Sequence, residues 1–123
     1  MTSHQRKHER VDSLNLLSYF CENDRQEVIA QGMGRTLNVS EGGILLETHV
    51  QIEDQSTVFL SIGFQDDVTE VMGKVIYSKK GDNDRWRSGI EFVAPDKNSQ
   101  RSIKKYIDAF TRHQKTVEKG KTI

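Results

Sequence analysis

With a single cysteine, Cys21, the chain cannot form an internal disulfide. Cys21 sits in an apolar run with Leu16, Leu17, Tyr19 and Phe20, which suits a reduced core thiol better than a reactive or metal-binding one. Long apolar stretches are missing as well. No window approaches the ~20 residues of a membrane span, and the opening MTSHQRKHER lacks the apolar segment of a signal peptide. A cytoplasmic protein with no membrane insertion is therefore expected. Apolar residues make up 34% of the 123, charged residues 29%, and mean hydropathy is -0.68, which is little for a large core but enough for one small β-rich domain with a wet outer face.

Net charge is absent too, since 18 Lys and Arg balance 18 Asp and Glu, but the distribution is uneven. Residues 1–10 carry +2 and residues 95–123 carry +5, which leaves -7 for the middle. A protein that grips a nucleic-acid polymer needs a broad basic face. An acidic body with basic ends argues against nucleic acid, including a single-stranded nucleic-acid barrel, and suits a small anion held by an arm.

Period two dominates the centre of the chain. Val58, Leu60, Ile62 and Phe64 alternate with Thr57, Ser61 and Gly63, and Trp86, Ile90 and Phe92 alternate with Arg85, Arg87 and Glu91. Between them, residues 68–78 align Val71, Val75 and Tyr77 on one face, with short links at Gln65-Asp66-Asp67 and Gly81-Asp82-Asn83-Asp84. Residues 11–21, 28–38 and 43–49 supply three further candidate strands. Six strands with short connections predict an antiparallel meander that curls into a β-barrel to hide its edges.

After the only proline, Pro95, the period changes. Ile103, Tyr106, Ile107 and Phe110 follow the spacing of one helix face, Arg101, Lys104, Lys105 and Asp108 form the other, and Asp96 or Asn98 can cap the start. The expected organisation is a flexible arm at 1–10, a barrel plus C-terminal helix at 11–112, and a frayed basic tail at 113–123.

Two short motifs carry candidate chemistry. Arg6-Lys7-His8-Glu9-Arg10 precedes the first strand, and Asn38-Val39-Ser40-Glu41-Gly42-Gly43 separates the second from the third. Two guanidinium groups in one arm can make bidentate contacts to phosphate oxygens and to the O6/N7 edge of guanine. The Asn38 amide and Ser40 hydroxyl offer short directional donors and acceptors, and Gly42 and Gly43 permit close approach.

Other chemistry fares worse. His4 and His8 are four apart, but no third ligand completes a metal site, so none is expected. Ser40 lacks the glycine two residues earlier that a nucleophile elbow needs, and Asp66-Asp67, Asp82 and Asp84 read as turns, so the chain is not expected to be an enzyme. Trp86 and Phe92 read as core residues rather than a base-stacking platform.

An Arg-x-x-x-Arg arm followed by Asn-x-Ser-x-x-Gly at the end of the second strand resembles the PilZ domain family. Arg6 and Arg10 match the first motif, Asn38, Ser40 and Gly43 match the second, and Ser88-Gly89-Ile90-Glu91-Phe92 looks like the family's late strand before its helix. The resemblance covers about residues 6–112. It implies an all-β fold, a six-stranded antiparallel barrel with a C-terminal helix, and a site for cyclic di-GMP. Arg6 and Arg10 would hold phosphates and guanine edges, Asn38 and Ser40 would contact a guanine, and Lys7, His8 and Gly42 are possible additional contacts. No cofactor beyond that ligand is implied. The expected role is a receptor that changes conformation and signals to a downstream protein partner, as a monomer or weak homodimer. The alternative is a PilZ-like adaptor that binds protein but no nucleotide.

Overall fold

The computed structural model describes the backbone of residues 16–64 and 67–122 and the side chains of 16–63 and 68–112. Among the described residues there are six strands: β1 (Leu16–Glu22), β2 (Val28–Val39), β3 (Gly43–Thr48), β4 (Thr57–Phe64), β5 (Asp67–Lys80) and β6 (Trp86–Phe92). An α-helix, α1 (Lys97–Thr122), follows. Residues 11–15, placed in the first strand by the sequence pattern, lie outside the described residues.

All pairings are antiparallel and the sheet closes into a barrel in the order β1-β2-β3-β6-β5-β4. The barrel is as expected, but the connectivity is not a simple meander. β3 pairs with β6 and β1 with β4, so two three-stranded meanders are joined edge to edge by the link at 49–56. That link is fastened to the barrel rather than looping free. Gln55 N–H donates to the Val75 carbonyl at 2.8 Å, Val75 N–H to that of Ser56 at 3.1 Å, and Ile52 is fully buried. Each strand thus has a partner on both sides, which removes the free edges that template aggregation.

Alternation does the packing. Leu17, Tyr19 and Cys21 point inward from β1, Val58, Leu60 and Ile62 from β4, and Ile90 and Phe92 from β6. Each fully buried aliphatic side chain of this size contributes roughly 1.5–3 kcal/mol. Burial pushes the Cys21 thiol up to about 11, so it is an inert core group. Trp86, at the barrel rim, is half-buried.

The helix starts where its cap allows. The Asp96 carboxylate accepts from Ser99 N–H at 2.8 Å, which also draws its own pKa down, and the Asp96 carbonyl accepts from Gln100 N–H. Ile103, Tyr106 and Phe110 are buried, Ile107 packs against the core, and Arg101, Lys104, Lys105 and Asp108 face outward. Tyr106 and Thr36 share a buried 2.7 Å hydrogen bond that ties α1 to β2, and burial raises the Tyr106 pKa. Such a bond contributes about 1 kcal/mol net, and stranding either hydroxyl would cost about 1–3. α1 runs through Thr122, past the point at 113 where the sequence predicts fraying. The run contains good helix formers, with no proline and no glycine before Gly120.

Candidate functional site

Two β-bulges build the outer face next to the motif loop. On β2 the pairing with β3 steps from Thr36–Leu46 to Asn38–Leu45, so Leu37 is an extra residue. On β5 the pairing with β6 steps from Val75–Ile90 to Tyr77–Gly89, so Ile76 is an extra residue. An inserted residue reverses the inside-outside phase of the strand beyond it. Thr36 is buried but Asn38 is exposed, and Val75 is buried but Tyr77 is 38% exposed. The sequence expectation that Tyr77 shares the inward face of Val71 and Val75 is therefore corrected, and the bulge is the reason.

The bulges bring Asn38, Leu45, Gly89 and Tyr77 into one row across β2, β3, β6 and β5. The Tyr77 ring lies over Gly89, where a Cβ would collide with it. This row floors an open groove of about 430 Å³, walled by Asn38, Ser40, Gly42 and Gly43 on one side, Ile76 and Tyr77 on the other, and Glu91. Tyr77, Gly89 and Glu91 were not among the residues expected at a site. The signal for Tyr77 was a glycine inside a strand, which marks a close approach.

The motif loop is a tight hairpin. Ser40 N–H donates to the Gly43 carbonyl at 2.9 Å, Gly43 N–H returns to the Ser40 carbonyl at 3.4 Å, and the Gly42 carbonyl accepts from Phe92 N–H at 2.9 Å. The Asn38 side-chain oxygen accepts from Val39 N–H at 2.9 Å, which fixes the amide on the groove wall. Its second lone pair and the amide N–H groups are of the chemical types that a ligand edge needs. Gly43 is needed by the sheet itself, because a Cβ there would run into the Ile90 carbonyl. A Cβ on Gly42 would meet nothing.

Of the residues singled out in the sequence, Asn38, Ser40, Gly42 and Gly43 thus share one groove. Arg6, Lys7, His8 and Arg10 lie outside the described residues. Leu16, the first residue of β1, pairs with Arg35, and β2 continues through Val39 before the motif loop. Leu16, the first described residue, therefore lies at the motif-loop end of the barrel. Five residues lie between Arg10 and Leu16 in the sequence, and six residue steps span at most about 20 Å.

Among the described residues no group of three or more His, Cys, Asp or Glu could hold a metal ion, and no helix is long and apolar enough to cross a membrane. A comparison with curated proteins finds no match. Among solved structures, the fold is similar to the PilZ domain with c-di-GMP of YcgR from Escherichia coli, with a TM-score of 0.58 and 12% identity over 88% of this chain and 89% of that one. It is also similar to the PilZ domain of CeSA from a cellulose synthesizing bacterium, with a TM-score of 0.56 and 11% identity over 78% of this chain and 93% of that one. The sequence matches the PilZ domain family model over residues 4–109. Family match and barrel architecture agree, and the chain belongs to the PilZ domain family.

Proposed function

We propose that the protein is a non-enzymatic receptor for cyclic di-GMP, in which Arg6 and Arg10 close over a ligand seated in the groove between Asn38 and Tyr77. What supports this reading is that the Asn38–Gly43 loop walls the groove and that Leu16, the first described residue of β1, lies at the same barrel end, only six positions after Arg10 in the sequence. The family match begins at residue 4 and so includes that segment, and a structural neighbour's PilZ domain is described with c-di-GMP.

Each group has a chemical task. The two guanidinium forks neutralise phosphates and read guanine O6 and N7. Asn38 and Ser40 contact a guanine edge, and the exposed carboxylate of Glu91, on the same groove, accepts from guanine N–H groups. Tyr77 gives the base an aromatic wall. Gly43 acts by keeping the loop against β6, while Lys7 and His8, between the arginines, supply secondary contacts to the ligand.

Closure of the arm is the output that a downstream protein partner reads. Residues 2–10 contain no apolar side chain, and Arg6, Lys7 and Arg10 repel one another, so nothing in the free arm offsets the entropy of fixing it. A dianionic ligand supplies both neutralisation and a surface to close on. In hydrogen exchange, amides through Arg10 are expected to exchange fast in the free protein and to become protected around Arg6–Arg10 with cyclic di-GMP, with smaller changes at Val39–Gly43. An arm protected without ligand, or unprotected at saturation, contradicts the switch.

A further inference from the structure

The body of this chain is acidic on average, yet a basic region adjoins the groove. On the outer face, the row next to Asn38–Leu45–Gly89–Tyr77 reads Arg35, Glu47, Arg87, Lys79 across β2, β3, β6 and β5. Glu47 is buried and engaged by Arg35 at 3.3 Å and Arg85 at 3.7 Å. Lys79 and Arg87 are direct cross-strand partners. Like charges so placed disfavour the sheet, so the pairing is not explained by stability.

Lys79 and Arg87 line a second cavity of about 460 Å³ together with Leu45, Tyr77, Lys80 and Asp82. Leu45 and Tyr77 also line the motif groove, so the two spaces meet along one shared wall. Lys80 and Arg87 have exposed carboxylate partners, Asp84 at 3.6 Å and Asp82 at 3.5 Å, whereas the Lys79 ammonium stands over the Tyr77 ring, 5.3 Å from its centre. Exposed ion pairs of this kind are weak and are readily exchanged for a phosphate.

Charge makes the connection. Among the described residues, the carboxylate of Glu91 is the charged group on the wall of the motif groove, so the groove itself repels an anion. A ligand with two phosphates needs cations on both sides, and the function proposed above assigns Arg6 and Arg10 to only one of them. On the reading of the groove as a cyclic di-GMP site, we propose that Lys79 and Arg87 form a second phosphate-binding position, reached across Tyr77, that holds the ligand's side remote from the motif loop.

The test is calorimetric titration with cyclic di-GMP of the full chain and of Lys79→Ala, Lys79→Gln, Lys79→Arg, Arg87→Ala and Arg25→Ala. Arg25 lies in the β1–β2 link, away from the motif loop and between strands that border neither β5 nor β6, and matches the loss of charge. Each of these side chains is at least partly exposed, and melting curves check that each variant is folded. Lys79→Ala, Lys79→Gln and Arg87→Ala are expected to bind about 5- to 20-fold more weakly, with a shallower dependence on salt. Lys79→Arg and Arg25→Ala are expected to stay within about 2-fold of the parent protein. If the parent protein binds and the Lys79 and Arg87 variants bind equally well, or if Arg25→Ala weakens binding as much as they do, the second phosphate position is wrong while the cyclic di-GMP reading stands. Failure of the parent protein to bind overturns both.

Discussion

Arg6→Ala and Arg10→Ala are each expected to weaken cyclic di-GMP binding by roughly ten- to a hundred-fold, and the double variant to bind too weakly for an ordinary titration. A charge-assisted hydrogen bond contributes about 1.5–3 kcal/mol, and each 1.4 kcal/mol is a factor of ten in affinity. Lysine at either position should restore little, because it offers a point charge where the fork geometry is needed. Melting temperature should not follow affinity. Both arginines precede β1, and the buried cluster that holds the barrel together runs from Leu17 to Tyr106. A single alanine variant that binds like the parent protein shows that the arginine removed does not touch the ligand.

The glycines of the loop should behave in opposite ways. Gly43→Ala drives a methyl group into the Ile90 carbonyl, and neither backbone can move without opening the β3–β6 pairing that closes the barrel. The expected cost is about 1–3 kcal/mol, the range for overpacking a rigid interior. The Ser40–Gly43 hydrogen bonds would be displaced with it, so affinity for cyclic di-GMP should fall even at temperatures where the variant is folded. Gly42→Ala, in open space and outside the left-handed region, should stay within about 0.5 kcal/mol of the parent in urea unfolding. Equal stability of the two variants would mean that β3 and β6 do not approach as closely as described.

Much of this architecture was legible in the sequence because its periodicity is clean. Val58, Leu60 and Ile62 had nowhere to go but inward, and Pro95 followed by Asp96 announced both the end of the sheet and the cap of α1. Three features were not legible, each for a physical reason. Strand order depends on which edges meet at closure, and the β3–β4 link at 49–56 gives no local sign that its strands part company. The bulge at Ile76 lies in Val75-Ile76-Tyr77, where every residue is apolar and an alternation shifted by one leaves no mark. The bulge at Leu37 is concealed in the same way between Thr36 and Asn38, both polar, although one is buried and the other exposed. Those two insertions turn Asn38 and Tyr77 outward onto one groove. The motif residues were readable from the chain, but the aromatic wall opposite them was not.

A basic row beside the groove was equally hidden, because net charge over the middle of the chain is negative and only the cross-strand register brings Lys79 beside Arg87. Local charge at a binding surface is set by pairing, not by the average over the segment.

The central claim is that this barrel binds a guanine dinucleotide, and calorimetric titration of the full chain with cyclic di-GMP and, in parallel, with cyclic di-AMP tests it most directly. The account predicts saturable binding of cyclic di-GMP and at least about 100-fold weaker binding of the adenine analogue, which carries the same phosphates but presents a donor where guanine has O6. Equal affinity for the two would contradict guanine recognition by Asn38, Ser40 and the arginines, and no heat with either would contradict the receptor reading altogether.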